Sequence, residues 1–104
     1  MEPVTELSSS IFEPHVGEGF EIVGRDGRRV TAVLERIADR GGAPHSTMFS
    51  LYFLVPPGGP TAQGSYHLER DGFGAVELFL VPVQQEGDSL RFEAAMNLLG
   101  SERK

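Results

Sequence analysis

The sequence predicts an all-β fold: a single antiparallel meander of about six short strands, forming a small barrel or sandwich, with one short N-terminal helical turn. Three observations carry this prediction. Thirteen glycines and seven prolines punctuate 104 residues, a spacing that favours turns and strands over long helices. The apolar runs between them are short and rich in β-branched and aromatic residues, which suit a pleated, half-buried surface. A chain of this length fits one domain, able to bury roughly 60–65 % of the surface its unfolded form exposes. Residues 1–7 read as a flexible arm, 8–99 as a single barrel-like domain, and 100–104 as a charged tail.

The elements follow in order. Ser10-Ile11-Phe12-Glu13 matches a capping box, with Ser10 as N-cap and Glu13 at the third helical position. Gly17 and Gly19 limit this helix to one turn, which should plug Ile11, Phe12 and Val16 into the core. Phe20 to Val23 alternates as a short strand, and Gly24-Arg25-Asp26-Gly27 has turn composition. Arg28 to Asp39 resumes the alternation, with Val30, Ala32 and Leu34 on one face and Arg29, Thr31 and Glu35 on the other. Val33 and Ile37 break that phase and predict a bulge near Leu34–Glu35. A helix from Thr31 to Arg40 competes, but the β-branched residues and the preceding glycine turn favour the strand.

Asp39 to Thr47 is loop-like, and Met48 to Val55 is a strand with apolar groups on both faces, ended by Pro56-Pro57-Gly58-Gly59-Pro60. Ser65 to Glu69 is a strand with Tyr66 and Leu68 inward. Gly74 to Val83 is the longest apolar run and is also two-sided: Val76, Leu78 and Leu80 on one face, Phe79, Val81 and Val83 on the other. Pro82 cannot donate to a ladder, so it marks an edge or bulge. The last strand spans Leu90 to Asn97, with Leu90, Phe92, Ala94 and Met96 inward. No internal repeat is legible.

The formal charge of −6 and pI near 4.9 argue against a nucleic-acid partner, which would need clustered Lys and Arg. Arg25, Arg28 and Arg29 do cluster, but Asp26 sits among them in a turn. With no cysteine, disulfides, thiolate metal sites and a cysteine nucleophile are excluded. The N-terminus lacks the pattern of a signal peptide and no run approaches a membrane span. The expected setting is cytoplasmic, away from membranes, unless export proceeds without a signal as part of a larger assembly.

No catalytic, cofactor-binding or metal-binding residue is expected. His15, His45 and His67 share no ligand spacing, and the glycine segments lack the Lys and spacing of phosphate loops. The hairpin register does make one polar prediction. If Leu68 pairs with Val76, His67 faces Glu77, a favourable cross-strand pair; a register two residues longer would oppose Glu69 and Glu77. A barrel has one inside, so the surplus outward apolar groups Met48, Tyr52, Leu54, Phe79 and Val81 form a candidate interface, for another protein or a second copy.

Several segments together resemble a known family. They are His15-Val16-Gly17 before Phe20, Phe49-Ser50-Leu51-Tyr52-Phe53, Gln63-Gly64-Ser65-Tyr66-His67-Leu68-Glu69, Leu78-Phe79-Leu80-Val81-Pro82-Val83 and Phe92-Glu93-Ala94-Ala95-Met96-Asn97. The series resembles the HVG..F, FSL.F, QG.Y.LEH, LFLVPV and YEA.FN motifs of a small bacterial family known only as a domain of unknown function. Arg70 stands where that series carries a histidine. The resemblance implies no catalytic residue, and it suggests an accessory role beside fibre-like or phage-tail-like proteins. The function expected is thus a non-enzymatic interaction or structural module. The alternative is a small-molecule or carbohydrate-binding barrel with weak enzymatic activity, its pocket lined by His45, Tyr66 or His67.

Overall fold

The computed structural model describes residues 8–24, 26–39 and 48–97. It comprises one helical turn, α1 (Ser9–Phe12), continued by a 3-10 turn at Glu13–His15, and six strands. These are β1 (Gly19–Val23), β2 (Arg29–Asp39), β3 (Met48–Val55), β4 (Gly64–Arg70), β5 (Gly74–Glu86) and β6 (Ser89–Asn97). Every pairing is antiparallel, and the strands close a barrel in the order β1-β2-β3-β6-β5-β4. The all-β class, the strand count and the closed barrel match expectation; β2 is a strand and not a helix.

The order around the barrel differs from one continuous meander. Two three-stranded meanders, β1-β2-β3 and β4-β5-β6, are joined by the β3–β6 and β1–β4 pairings. The connection from Pro56 to Gln63 therefore crosses one end of the barrel, making two overlapping Greek keys. Prolines 56, 57 and 60 cannot donate to a ladder, so the chain leaves β3 without making a hairpin.

The two halves also share a plan that the sequence conceals. Each has a short first strand and a long middle strand that changes partner part-way along. β2 pairs with β1 up to Val33 and with β3 from there; β5 pairs with β4 up to Leu80 and with β6 from Val81. Each long strand is bulged: at Glu35, between the Leu34–Phe53 and Arg36–Tyr52 pairs, and at Val83, between Pro82–Phe92 and Gln84–Arg91. The first bulge is the one predicted from the broken phase, and the second sits beside Pro82 as that residue demands. A sequence trace of the repeat is Arg-Asp-Gly, at 25–27 and again at 70–72.

The interior is filled. Phe20, Ile22, Leu34, Phe49, Leu51, Phe53, Leu68, Leu80 and Phe92 are all almost completely buried, as interlocking side chains from a small barrel must be. One end is plugged by α1, whose Phe12 is 0 % exposed and stacks at centroid distances of 5.1 Å on Phe73 and 6.4 Å on Phe49. Backbone bonds from Gly17 N–H to Leu34 O (2.7 Å) and Leu34 N–H to Glu18 O (3.0 Å) tie the plug to β2.

Two details of the plug correct the sequence reading. The N-cap is Ser8, in extended conformation and with no side-chain cap bond, so no capping box forms. Ser10 instead shares a hydroxyl contact with Ser8 (2.9 Å), and Glu13 and Pro14 open the 3-10 turn, where proline's missing N–H is harmless. Val16 is 43 % exposed and not in the core, because the chain turns extended there to enter β1. Ile11 packs against the core from its edge.

At the opposite end, Gly59 lets the crossing loop settle onto the barrel. A Cβ there would lie 2.6 Å from Val55 Cγ1 and 2.8 Å from Val30 Cγ2. Gly59→Ala should therefore overpack this end and destabilise the domain by about 1–3 kcal/mol, read as a lowered urea midpoint at unchanged m-value.

Candidate functional site

The five predicted interface residues do not form one patch. Strand β6 lies between β3 and β5, and the register Val81–Glu93–Tyr52 puts a carboxylate between the two apolar sets. On β3 the protein covers its own surplus. The Arg36 guanidinium sits 4.0 Å above the Tyr52 ring, a cation–π contact. The Tyr52 hydroxyl donates to Glu93 Oε2 (3.3 Å), which also accepts from Ser50 Oγ (2.7 Å). Ser50 points outward yet is 0 % exposed.

A second arginine bridges the same strand. Arg91, on β6, reaches Glu35 in the β2 bulge at 2.6 Å, and donates to Gln84 (2.6 Å) and Glu86 (3.2 Å) on β5. The Arg91–Glu35 bridge spans the outer face of β3, where Leu54 is Arg91's register partner. Its hydrogen bond to Glu35, more than any other interaction, raises the Arg91 pKa. Tyr52 and Leu54 are accordingly half-buried, as is Met48 at the start of the strand.

Strand β5 is different. Phe79 is 54 % exposed and Val83 46 %, while Val81 between them is half-buried. Phe79 pairs with Ser65 on β4, too small to shield a phenyl ring. Val83 is outward by the same alternation as Phe79 and Val81, and it is the extra residue of the bulge between Pro82 and Gln84. Sequence alternation identified Phe79 and Val81, and Val83 as sharing their face, but not the arginine cover over β3.

The polar pair falls in the expected register, with His67 opposite Glu77 and Leu68 opposite Val76. Its closest contact is another carboxylate, however: Nε2 lies 2.8 Å from Glu69 Oε2, whereas Nδ1 lies 3.9 Å from Glu77 Oε2. Glu69 also faces Glu21 across the β1–β4 closure, and Arg29 sits between them, 2.8 Å from Glu21 and 3.7 Å from Glu69. This is a surface network that fastens the barrel's seam. Among the described residues, no three His, Asp or Glu side chains converge as a metal site.

His15 belongs to a clamp that holds the plug. Its Nδ1 is 2.8 Å from Glu18 Oε1, which is 2.9 Å from Arg70 Nε, and Arg70 donates to Gly19 O (2.9 Å). The imidazole meets Phe73 and Phe20 edge-on at 5.4 and 6.1 Å. The hydrogen bond with His15, followed by the Arg70 charge, lowers the Glu18 pKa from its ordinary 4.5. A carboxylate with a depressed folded-state pKa adds stability that is complete above its unfolded pKa and fades as pH falls through the folded value. Glu18→Gln should thus be less stable than wild type at pH 7, with the gap closing below pH 4.5. Urea melts across pH 3–7 check this.

A cleft of about 280 Å³ opens between the β1–β2 turn and the crossing loop, lined by Asp26, Arg28, Gly59, Thr61 and Tyr66 among others. The Tyr66 hydroxyl donates to Ala62 O at 2.5 Å, so it is engaged within the loop. His67 lies on the barrel's outer face, and His45 falls outside the described residues, as do the predicted arm and tail.

No helix among the described residues is long and apolar enough to cross a membrane. No curated protein and no solved structure matches the chain. One family model does match, over residues 7–96, spanning α1 and nearly all of the barrel. The chain therefore belongs to the family described as domain of unknown function DUF6916.

Proposed function

We propose that this domain is a non-enzymatic protein-interaction module that docks through the outer face of β5. One observation carries the reading: Phe79 stands 54 % exposed in mid-strand, with Val81 and Val83 beside it, in a barrel that covers Tyr52 and Leu54 on β3 with its own arginines. A contiguous apolar surface left uncovered is more typical of an interaction site than of a monomer's surface. An accessory part in a fibre-like or tail-like assembly is the form of this function suggested by the family resemblance. A ligand-binding barrel is less well supported, since the interior is occupied by large side chains and the Tyr66 hydroxyl beside the cleft is already bonded to Ala62 O.

The paired substitution Phe79→Ser and Val83→Ser tests the reading. Both residues are exposed, so stability should change by no more than ~0.5 kcal/mol each. The expected result is a folded variant, melting within several degrees of wild type, that no longer retains the partners, or the second copy, retained by wild type. Affinity capture from the native host and light scattering read the two cases. Identical capture and identical mass for both proteins would reject the surface.

A further inference from the structure

The charges around the β5 strip indicate what kind of partner it fits. Glu77, 70 % exposed at its side chain, lies two residues before Phe79, and Glu86, 55 % exposed, closes the strand beyond Val83. Glu93 flanks Val81 on β6. Beside the strip, Arg91 is 18 % exposed and shared between Glu35 and Glu86, one guanidinium for two carboxylates, and the His67 ring lies 3.9 Å from Glu77. The result is a short apolar strip with acidic ends, on a chain of net charge −6. A second copy is the wrong complement, because antiparallel docking of two such strips would bring Glu77 of one against Glu86 of the other.

The backbone edge is not the feature presented. Beyond Leu80, β5 has no β4 partner, but that free edge begins with Pro82, which offers no N–H and blunts strand addition. Recognition must therefore come through side chains on the strand's face. Resting on the docking role proposed above, we infer that the β5 strip binds a protein segment with two or three apolar side chains flanked at both ends by Lys or Arg. The apolar groups meet Phe79, Val81 and Val83, and the cations meet Glu77 and Glu86.

The test uses the full chain and two labelled synthetic peptides that share a Val-Thr-Leu-Thr-Val centre, one with two lysines at each end and one with two glutamates. Fluorescence anisotropy should show binding of the lysine peptide and none of the glutamate peptide. Affinity should fall about tenfold between 0.05 and 0.5 M NaCl, as the Debye length shrinks to a few ångströms. Glu77→Gln with Glu86→Gln should weaken binding and flatten the salt response, while Phe79→Ser should abolish binding. Equal binding of both peptides, binding of neither, or binding unaffected by Phe79→Ser would overturn the inference. So would a wild-type dimer in sedimentation that Phe79→Ser dissociates, because the occupant would then be a second copy. If the peptides fail while Phe79-dependent capture from the host persists, the docking role stands and only the partner's chemistry is wrong.

Discussion

Phe53→Ala should destabilise the domain by about 3–5 kcal/mol, the usual loss for a fully buried phenylalanine. Phe53 is 0 % exposed, faces Phe92 across the β3–β6 pairing and meets Phe20 edge-on at 5.7 Å. That pairing is one of the two that join the half-barrels, so the side chain serves both at once. Neighbouring strands are fixed by backbone ladders on either side and cannot close over the void. Domains of this size are stable by only ~5–15 kcal/mol, so the loss takes a large share of the total. A fall of at least about 12 °C in melting temperature is expected, at ~4 °C or more per kcal/mol. A fall of only a few degrees would mean that the barrel repacks, and that its interior is looser than the burial of its phenylalanines indicates.

Phe12→Ala should have the second largest effect, towards the lower end of the same ~3–5 kcal/mol range. Phe12 is the buried anchor of α1 and packs on Phe73 and Phe49. A four-residue helical turn cannot hold itself together through propensity, since isolated helices below ~12 residues are marginal in water. Its order depends on that ring and on the His15–Glu18–Arg70 clamp. Loss of the ring should therefore release the segment locally as well as lower global stability. Amide exchange of Gly17 and Leu34, whose N–H groups tie the plug to β2, should accelerate more than exchange in β3. Uniform acceleration across the barrel would show instead that plug and barrel open as one unit.

Much of this architecture was legible because strand alternation has a strict period of two. Every residue placed inward on β4 and on the first half of β5 is buried: Tyr66, Leu68, Val76, Leu78 and Leu80. The bulge near Glu35 was legible from its two phase-breaking residues, and the Leu68–Val76 register from the charges that a slip would have opposed. Strand order was not legible. Nothing local in β3 says that it will pair with β6, since that pairing depends on where an eight-residue connection carries the chain. The half-barrel repeat stayed hidden because the halves share an inward apolar pattern but few identities.

The candidate site divides along the same line. That Phe79 and Val81 face outward follows from parity alone. That Tyr52 and Leu54 are covered does not, because the Arg36–Tyr52 pairing depends on the register that the bulge at Glu35 sets, and Arg91 comes from β6, a strand adjacent to β3 only once the barrel is closed. Likewise, His67 finds Glu69 two residues along its own face more closely than it finds Glu77 across the hairpin. Cross-strand logic overlooked that same-strand neighbour.

The claim that the outer face of β5 is the docking surface is tested most directly by placing a photoactivatable benzoylphenylalanine at position 79 in the native host. The same probe at position 31, an exposed residue on β2, serves as the control. Irradiation should produce one discrete crosslinked species from position 79 and none from position 31. No adduct at position 79, or the same adducts from both positions, would contradict it.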